Sequence, residues 1–112
     1  MHEMKLQSEF FDYILNGSKR IELRLFDDKR KCIKLGDTIK FFREPDLVDF
    51  FDVKVIGLLN YDSFLNLIND FDIKVLASSS YDSSRLLDVL ESFYSKEAQS
   101  KDGVLGIRFE LI

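Results

Sequence analysis

A mixed α+β fold, mostly β, follows from three features of this 112-residue chain. Five or six short stretches alternate apolar and polar residues, the period of half-buried strands. About three others carry apolar residues at helical spacing. Turn signals separate them closely, which favours antiparallel neighbours over parallel βαβ units. The expected architecture is a small mixed, mostly antiparallel β-barrel with short helices around it, because closure hides the strand edges.

Taken in order, His2–Leu6 alternates weakly and reads as a first strand. Ser8 is placed to cap a helix, with Glu9 favourable to its dipole. Phe10, Phe11, Ile14 and Leu15 give that helix one apolar face, and Asn16-Gly17 ends it. Lys19–Phe26 is the next strand, followed by a charged turn or loop at Asp27-Asp28-Lys29-Arg30. Gly36-Asp37 turns into a strand over Thr38–Arg43, with Ile39 and Phe41 on one side and Lys40 on the other. Glu44-Pro45-Asp46 breaks it.

Phe51–Leu59 is the longest strand, with Val53 and Val55 inward and Gly57 at a bulge. Asp62 or Ser63 caps a short helix carrying Phe64, Leu65 and Ile68. Ile73–Ala77 is ambiguous between strand and loop, and Ser78-Ser79-Ser80 is a polar connection expected to be mobile. Asp82 or Ser83 caps a helix carrying Leu86, Leu87, Leu90, Phe93 and Tyr94. Lys96–Asp102 is polar and ends at Gly103. Val104–Ile112 closes the chain as a strand, with Leu105, Ile107, Phe109 and Leu111 facing one way and Gly106, Arg108 and Glu110 the other.

The length fits one domain over residues 1–112. Eleven phenylalanines and no tryptophan point to a core of Phe, Leu and Ile. A single cysteine, Cys32, excludes an intrachain disulfide and a cysteine metal site, and is expected to be a small buried hydrophobe. The single histidine, His2, excludes a histidine dyad and is expected to fray with the terminus. Neither a metal nor a cofactor is implied. No apolar run reaches the roughly 18 residues of a membrane span, and no signal-peptide pattern opens the chain. A soluble, cytoplasmic protein with no membrane partner is the expectation.

The net charge of -4 argues weakly against general nucleic-acid binding, but its distribution is uneven. Residues 1–43 carry ten Lys/Arg against seven Asp/Glu, and residues 44–112 carry six against thirteen. The positive charge centres on Gly17-Ser18-Lys19-Arg20-Ile21-Glu22-Leu23-Arg24. In a strand, Glu22 and Arg24 share a face with Arg20, opposite Ile21, Leu23 and Leu25. The ionic face is either an ordinary solvated strand face or a local positive field able to bind an anion. Its plain reading is a row of cross-strand ion pairs worth little.

The spacing Gly17-x-Lys19-x-x-Glu22-x-Arg24 resembles the GxKxxExR signature of the ASCH family, within the PUA-like superfamily. Asp28-Lys29-Arg30, Lys34-Leu35-Gly36-Asp37-Thr38-Ile39, and Tyr94-Ser95 followed by Gly103-Val104-Leu105-Gly106-Ile107 extend the resemblance along most of the chain. It implies a β-barrel flanked by helices and a cleft beside the signature strand. It also implies RNA, a nucleotide or a nucleoside as partner.

In such a cleft Lys19 suits a phosphate or carbonyl oxygen, and Arg24 can form a bidentate fork. Glu22 can accept a proton or an amine hydrogen bond, Tyr94 can stack on a base, and Arg108 can extend the positive lining. Tyr94 as a core residue and Arg108 as a plain surface charge are the alternatives. A hydrolase using Lys19 and Glu22 as an acid–base pair is the rival function. A small amidohydrolase related to the family uses a lysine, a threonine and a glutamate. Only its lysine has a counterpart, Lys19. Its threonine position falls on Glu22 and its glutamate on Ser78-Ser79-Ser80, so that activity is not carried over. Copy number is not written in the sequence.

Overall fold

The computed structural model describes residues 1–112. Five strands, β1 (His2–Leu6), β2 (Ile21–Leu25), β3 (Thr38–Arg43), β4 (Phe50–Tyr61) and β5 (Val104–Leu111), form one curled half-barrel sheet in the order β1-β3-β4-β5-β2. Only β1 and β3 run parallel; the remaining neighbours are antiparallel. β1 and β2 are thus the two edges, and the curl brings them toward each other. Six short helices flank the sheet: α1 (Ser8–Leu15), α2 (Asp28–Lys31), α3 (Phe64–Asn69), α4 (Ile73–Leu76), α5 (Ser83–Phe93) and α6 (Lys96–Asp102).

Two apolar cores lie on opposite faces of the sheet. Inside the curl, Met4, Leu6, Ile39, Phe41, Val53, Val55, Leu105, Ile107 and Phe109 pack with Phe11 and Ile14 of α1. Outside it, Ile21, Leu23 and Val104 lie under Phe64, Leu67 and Ile68 of α3, Leu76 of α4, and Leu86 and Leu90 of α5. The sheet therefore has no solvated face along β2. Alternation tells which residues of β2 lie together but not what covers each side: α3, α4 and α5 cover the apolar side, and the ionic side turns to the gap between the two sheet edges. Of the two readings of the ionic face, the plain solvated one does not hold: Glu22 is buried with Ile21 and Leu23, and only Arg20, ahead of the strand, stays exposed.

The long β4 bends where the ladder skips between Val55 and Gly57, as Gly57 foretells. A Cβ at Gly57 would lie 3.0 Å from that of Arg108. Short helices account for most local departures from expectation. Asp27, Asp72 and Ser95 each cap a helix over stretches read as turn, ambiguous or polar. Ser63 and Asp82 cap α3 and α5. Ser8 is not a cap; Gln7 holds that position, and Ser8 Oγ accepts from Arg43 at 2.7 Å. Cys32 is exposed, not buried. His2 is held at 2.9 Å by Asp37 instead of fraying. No helix is long and apolar enough to cross a membrane.

Candidate functional site

Gly17 (φ +86°) ends α1 in the left-handed conformation that glycine adopts without strain. The chain is then pinned twice: Lys19 N–H donates to Tyr13 O at 2.9 Å, and Arg20 N–H to Val75 O at 2.8 Å. This turns the Lys19 side chain inward. Its ammonium donates to Ile21 O and Leu76 O, both at 2.7 Å, and pairs with Glu22 Oε1 at 3.2 Å. Three N–H donors thus meet three acceptors.

Glu22 divides its oxygens. Oε1 takes Lys19 and the Leu23 N–H at 3.2 Å. Oε2 takes Arg24 Nε at 2.8 Å and Nη2 at 2.7 Å. Arg24 Nη2 also donates to Lys5 O of β1 at 2.7 Å. These contacts share a logic. In β2, Ile21 and Leu23 turn their backbone groups away from β5, toward the open edge. Lys19 satisfies the carbonyl of one and Glu22 the N–H of the other. Arg24 then crosses the gap to the facing edge. The three ionic side chains seal an otherwise unpaired sheet edge, where bare backbone groups are costly.

The electrostatics follow from burial. Desolvation lowers the Lys19 pKa from its ordinary value, with Glu22 opposing. Burial alone would push the Glu22 carboxyl up, but Arg24 and Lys19 outweigh it and hold it below the usual range. Burial would likewise lower Arg24, but Glu22, and beside it the Tyr94 hydroxyl, raise it. The trio is one anion between two cations, carrying a net positive charge.

Above it opens a cavity of about 650 Å³ between β1, β2, α2, the β3–β4 turn and α5. Lys19, Glu22, Arg24 and Tyr94 all line it. Lys19 and Glu22 form its floor with their bonds committed, and the Arg24 side chain is 13% exposed. Arg108 is elsewhere, on the helix-covered side of the sheet, its guanidinium 5.8 Å from the Phe71 ring centre. Sequence reasoning missed Lys5 and Lys29, exposed at the rim, and Phe42 and Phe93 in the wall. Lys29 was legible as part of a charged turn and of a stretch that carries the family resemblance, with no site role assigned. Lys5 lay unremarked within the weakly alternating first strand.

The ASCH domain family model matches residues 4–112. No curated protein matches the chain. Among solved structures, the hypothetical protein PH0355 is 36% identical, with a TM-score of 0.86 over 98% of this chain and 97% of that one. PF0455 from Pyrococcus furiosus is 30% identical, with a TM-score of 0.75 over 99% and 96%. A serine-to-alanine mutant of ZmASCH from Zymomonas mobilis shares the fold at 13% identity, with a TM-score of 0.67 over 96% of this chain and 66% of that one. Family match and fold agree along nearly the whole length, and the chain belongs to the ASCH domain family.

Proposed function

We propose that this protein binds RNA or a nucleotide in the cavity above the Lys19–Glu22–Arg24 trio. One observation carries the reading: a single space holds an arginine fixed on two sides, two rim lysines and four aromatic side chains. Its volume of about 650 Å³ falls within the roughly 300–1,000 Å³ of small-molecule sites. Lys5 and Lys29 supply mobile charge for phosphate. Phe42, Phe93 and Tyr94 supply faces for a base. A single-stranded polynucleotide and a mononucleotide share this chemistry.

Binding is favoured over hydrolysis by the way Lys19 is held. As general acid or base it would first have to leave two carbonyls and Glu22.

The test is fluorescence anisotropy with labelled single-stranded RNA, competed by nucleoside monophosphates. Lys29→Ala, at an exposed position, is expected to weaken RNA binding several-fold and reduce the salt slope by about 1. Tyr94→Ala is expected to weaken it roughly 5–150-fold if a base stacks there, from about 1–3 kcal/mol. Unchanged affinity in both variants, or no RNA or nucleotide binding by the wild type, would defeat the reading.

A further inference from the structure

The two edge strands are not sealed alike. Along β2 the backbone groups are met by Lys19 and Glu22. Along β1, Leu6 C=O accepts from Glu44 N–H at 2.8 Å, on the β3 side. Residues of one parity in a strand send N–H and C=O to one neighbour. His2, Met4 and Leu6 therefore face β3, and Glu3 and Lys5 face the other way. The Arg24 bond to Lys5 C=O, on that opposite edge, agrees. Arg24 fills that carbonyl. Glu3 C=O and Lys5 N–H remain, two residues apart on an extended edge, and both residues line the cavity. A backbone acceptor and donor so spaced match a planar heterocycle that presents a donor beside an acceptor.

We propose that the free edge of β1 reads an unpaired nucleobase, Glu3 C=O accepting from and Lys5 N–H donating to adjacent atoms of its Watson–Crick edge. This rests on the nucleotide-binding reading above and adds what it lacks, a means of telling a free base from a paired one. Every nucleobase carries a donor beside an acceptor on that edge, so the contact demands accessibility more than identity. Phe42, Phe93 and Tyr94 lie in the same cavity, where a ring held by its edge has faces to meet. An added peptide strand fits less well. It needs a run of free edge groups, and Arg24 ends the run at Lys5 C=O.

The experiment has a ligand arm and a protein arm, both read by anisotropy competition. The best-binding of the four ribonucleoside 5′-monophosphates is compared with the same nucleotide N-methylated on its Watson–Crick edge. A single-stranded oligoribonucleotide is compared with its duplex. Lys5→Pro is compared with Lys5→Ala. Both remove the side-chain charge, but only proline removes the N–H, and an outward N–H on an edge strand is where a sheet tolerates proline. The expected result is at least tenfold weaker binding for the methylated nucleotide, for the duplex, and for Lys5→Pro relative to Lys5→Ala. Equal affinities for methylated and unmethylated nucleotide overturn the edge contact while leaving nucleotide binding intact. No binding of any nucleotide or RNA overturns both. Should Lys5→Pro fail to fold, the methylation comparison on the wild-type protein decides alone.

Discussion

Glu22→Gln is expected to destabilise the protein by about 3–5 kcal/mol, the cost of removing one partner from a buried ionic cluster. Shape is nearly conserved, so packing loss is small. What changes is charge. Lys19 and Arg24 are left close together in a desolvated space with no counter-ion, and an amide replaces the anion between them. The Leu23 N–H can still find the amide oxygen. The loss is therefore electrostatic and should show as a lower denaturant midpoint with unchanged slope. It carries a pH signature. The folded pKa of Glu22 lies below its unfolded value of about 4.3. Its stabilisation is thus fully present above that value and lost as pH falls through the lower folded pKa. The wild type should lose stability below about pH 4, and Glu22→Gln should lose less over the same interval. A variant as stable as wild type at pH 7, with the same acid limb, would show that the trio contributes nothing.

The same cluster shows what was legible in the sequence and what was not. Alternation made β3 and β5 plain and β1 only faintly so, and Gly57 marked the bend in β4. Alternation also placed Glu22 and Arg24 together. It could not say that their side was the inside of the curl, because periodicity reports which residues share a face and not what covers it. An ionic face opposite an apolar one is ordinarily solvated. Here α3, α4 and α5 cover the apolar face, and the ionic side chains turn to the gap between two edges. A signal was present in the spacing, since a carboxylate flanked by cations at i−3 and i+2 carries its own neutralisation.

The short helices α2, α4 and α6 escaped for a different reason. With four to seven residues they complete barely one or two turns, too few for a period to emerge. Only their caps, Asp27, Asp72 and Ser95, announce them. The cavity was legible in part. Tyr94 reaches it and Arg108 does not, because Arg108 shares the parity of Gly106, whose face packs against Leu67 and Ile21. Of the rim lysines, Lys29 follows the signature strand directly on α2, whereas Lys5 belongs to β1, which only the curl of the sheet brings to that strand.

Lys19→Met is expected to cost about 2–4 kcal/mol, and its coupling to Glu22 separates an ionic seal from simple packing. Methionine nearly matches the length of the buried stem but offers no donor. Ile21 O and Leu76 O each lose a 2.7 Å bond, while Glu22 keeps Arg24. Leu76 closes α4, so one tie between that helix and β2 is cut. The Ser18 hydroxyl, bonded to Lys74 O at 3.0 Å and Ala77 O at 3.2 Å, still holds the segment. Amide exchange should accordingly quicken at Arg20, whose N–H reaches Val75 O, more than at Val53 or Ile107 in the other core. In the double variant Lys19→Met/Glu22→Gln, one cation and the anion leave together and only Arg24 is stranded. Its destabilisation should fall short of the sum of the singles by more than about 1 kcal/mol, as expected of contacting residues in one network. Strict additivity would mean that Lys19 and Glu22 act separately. The division of labour between a buried floor and an exposed rim would then fail, because it requires Lys19 to be committed to Glu22 before any ligand arrives.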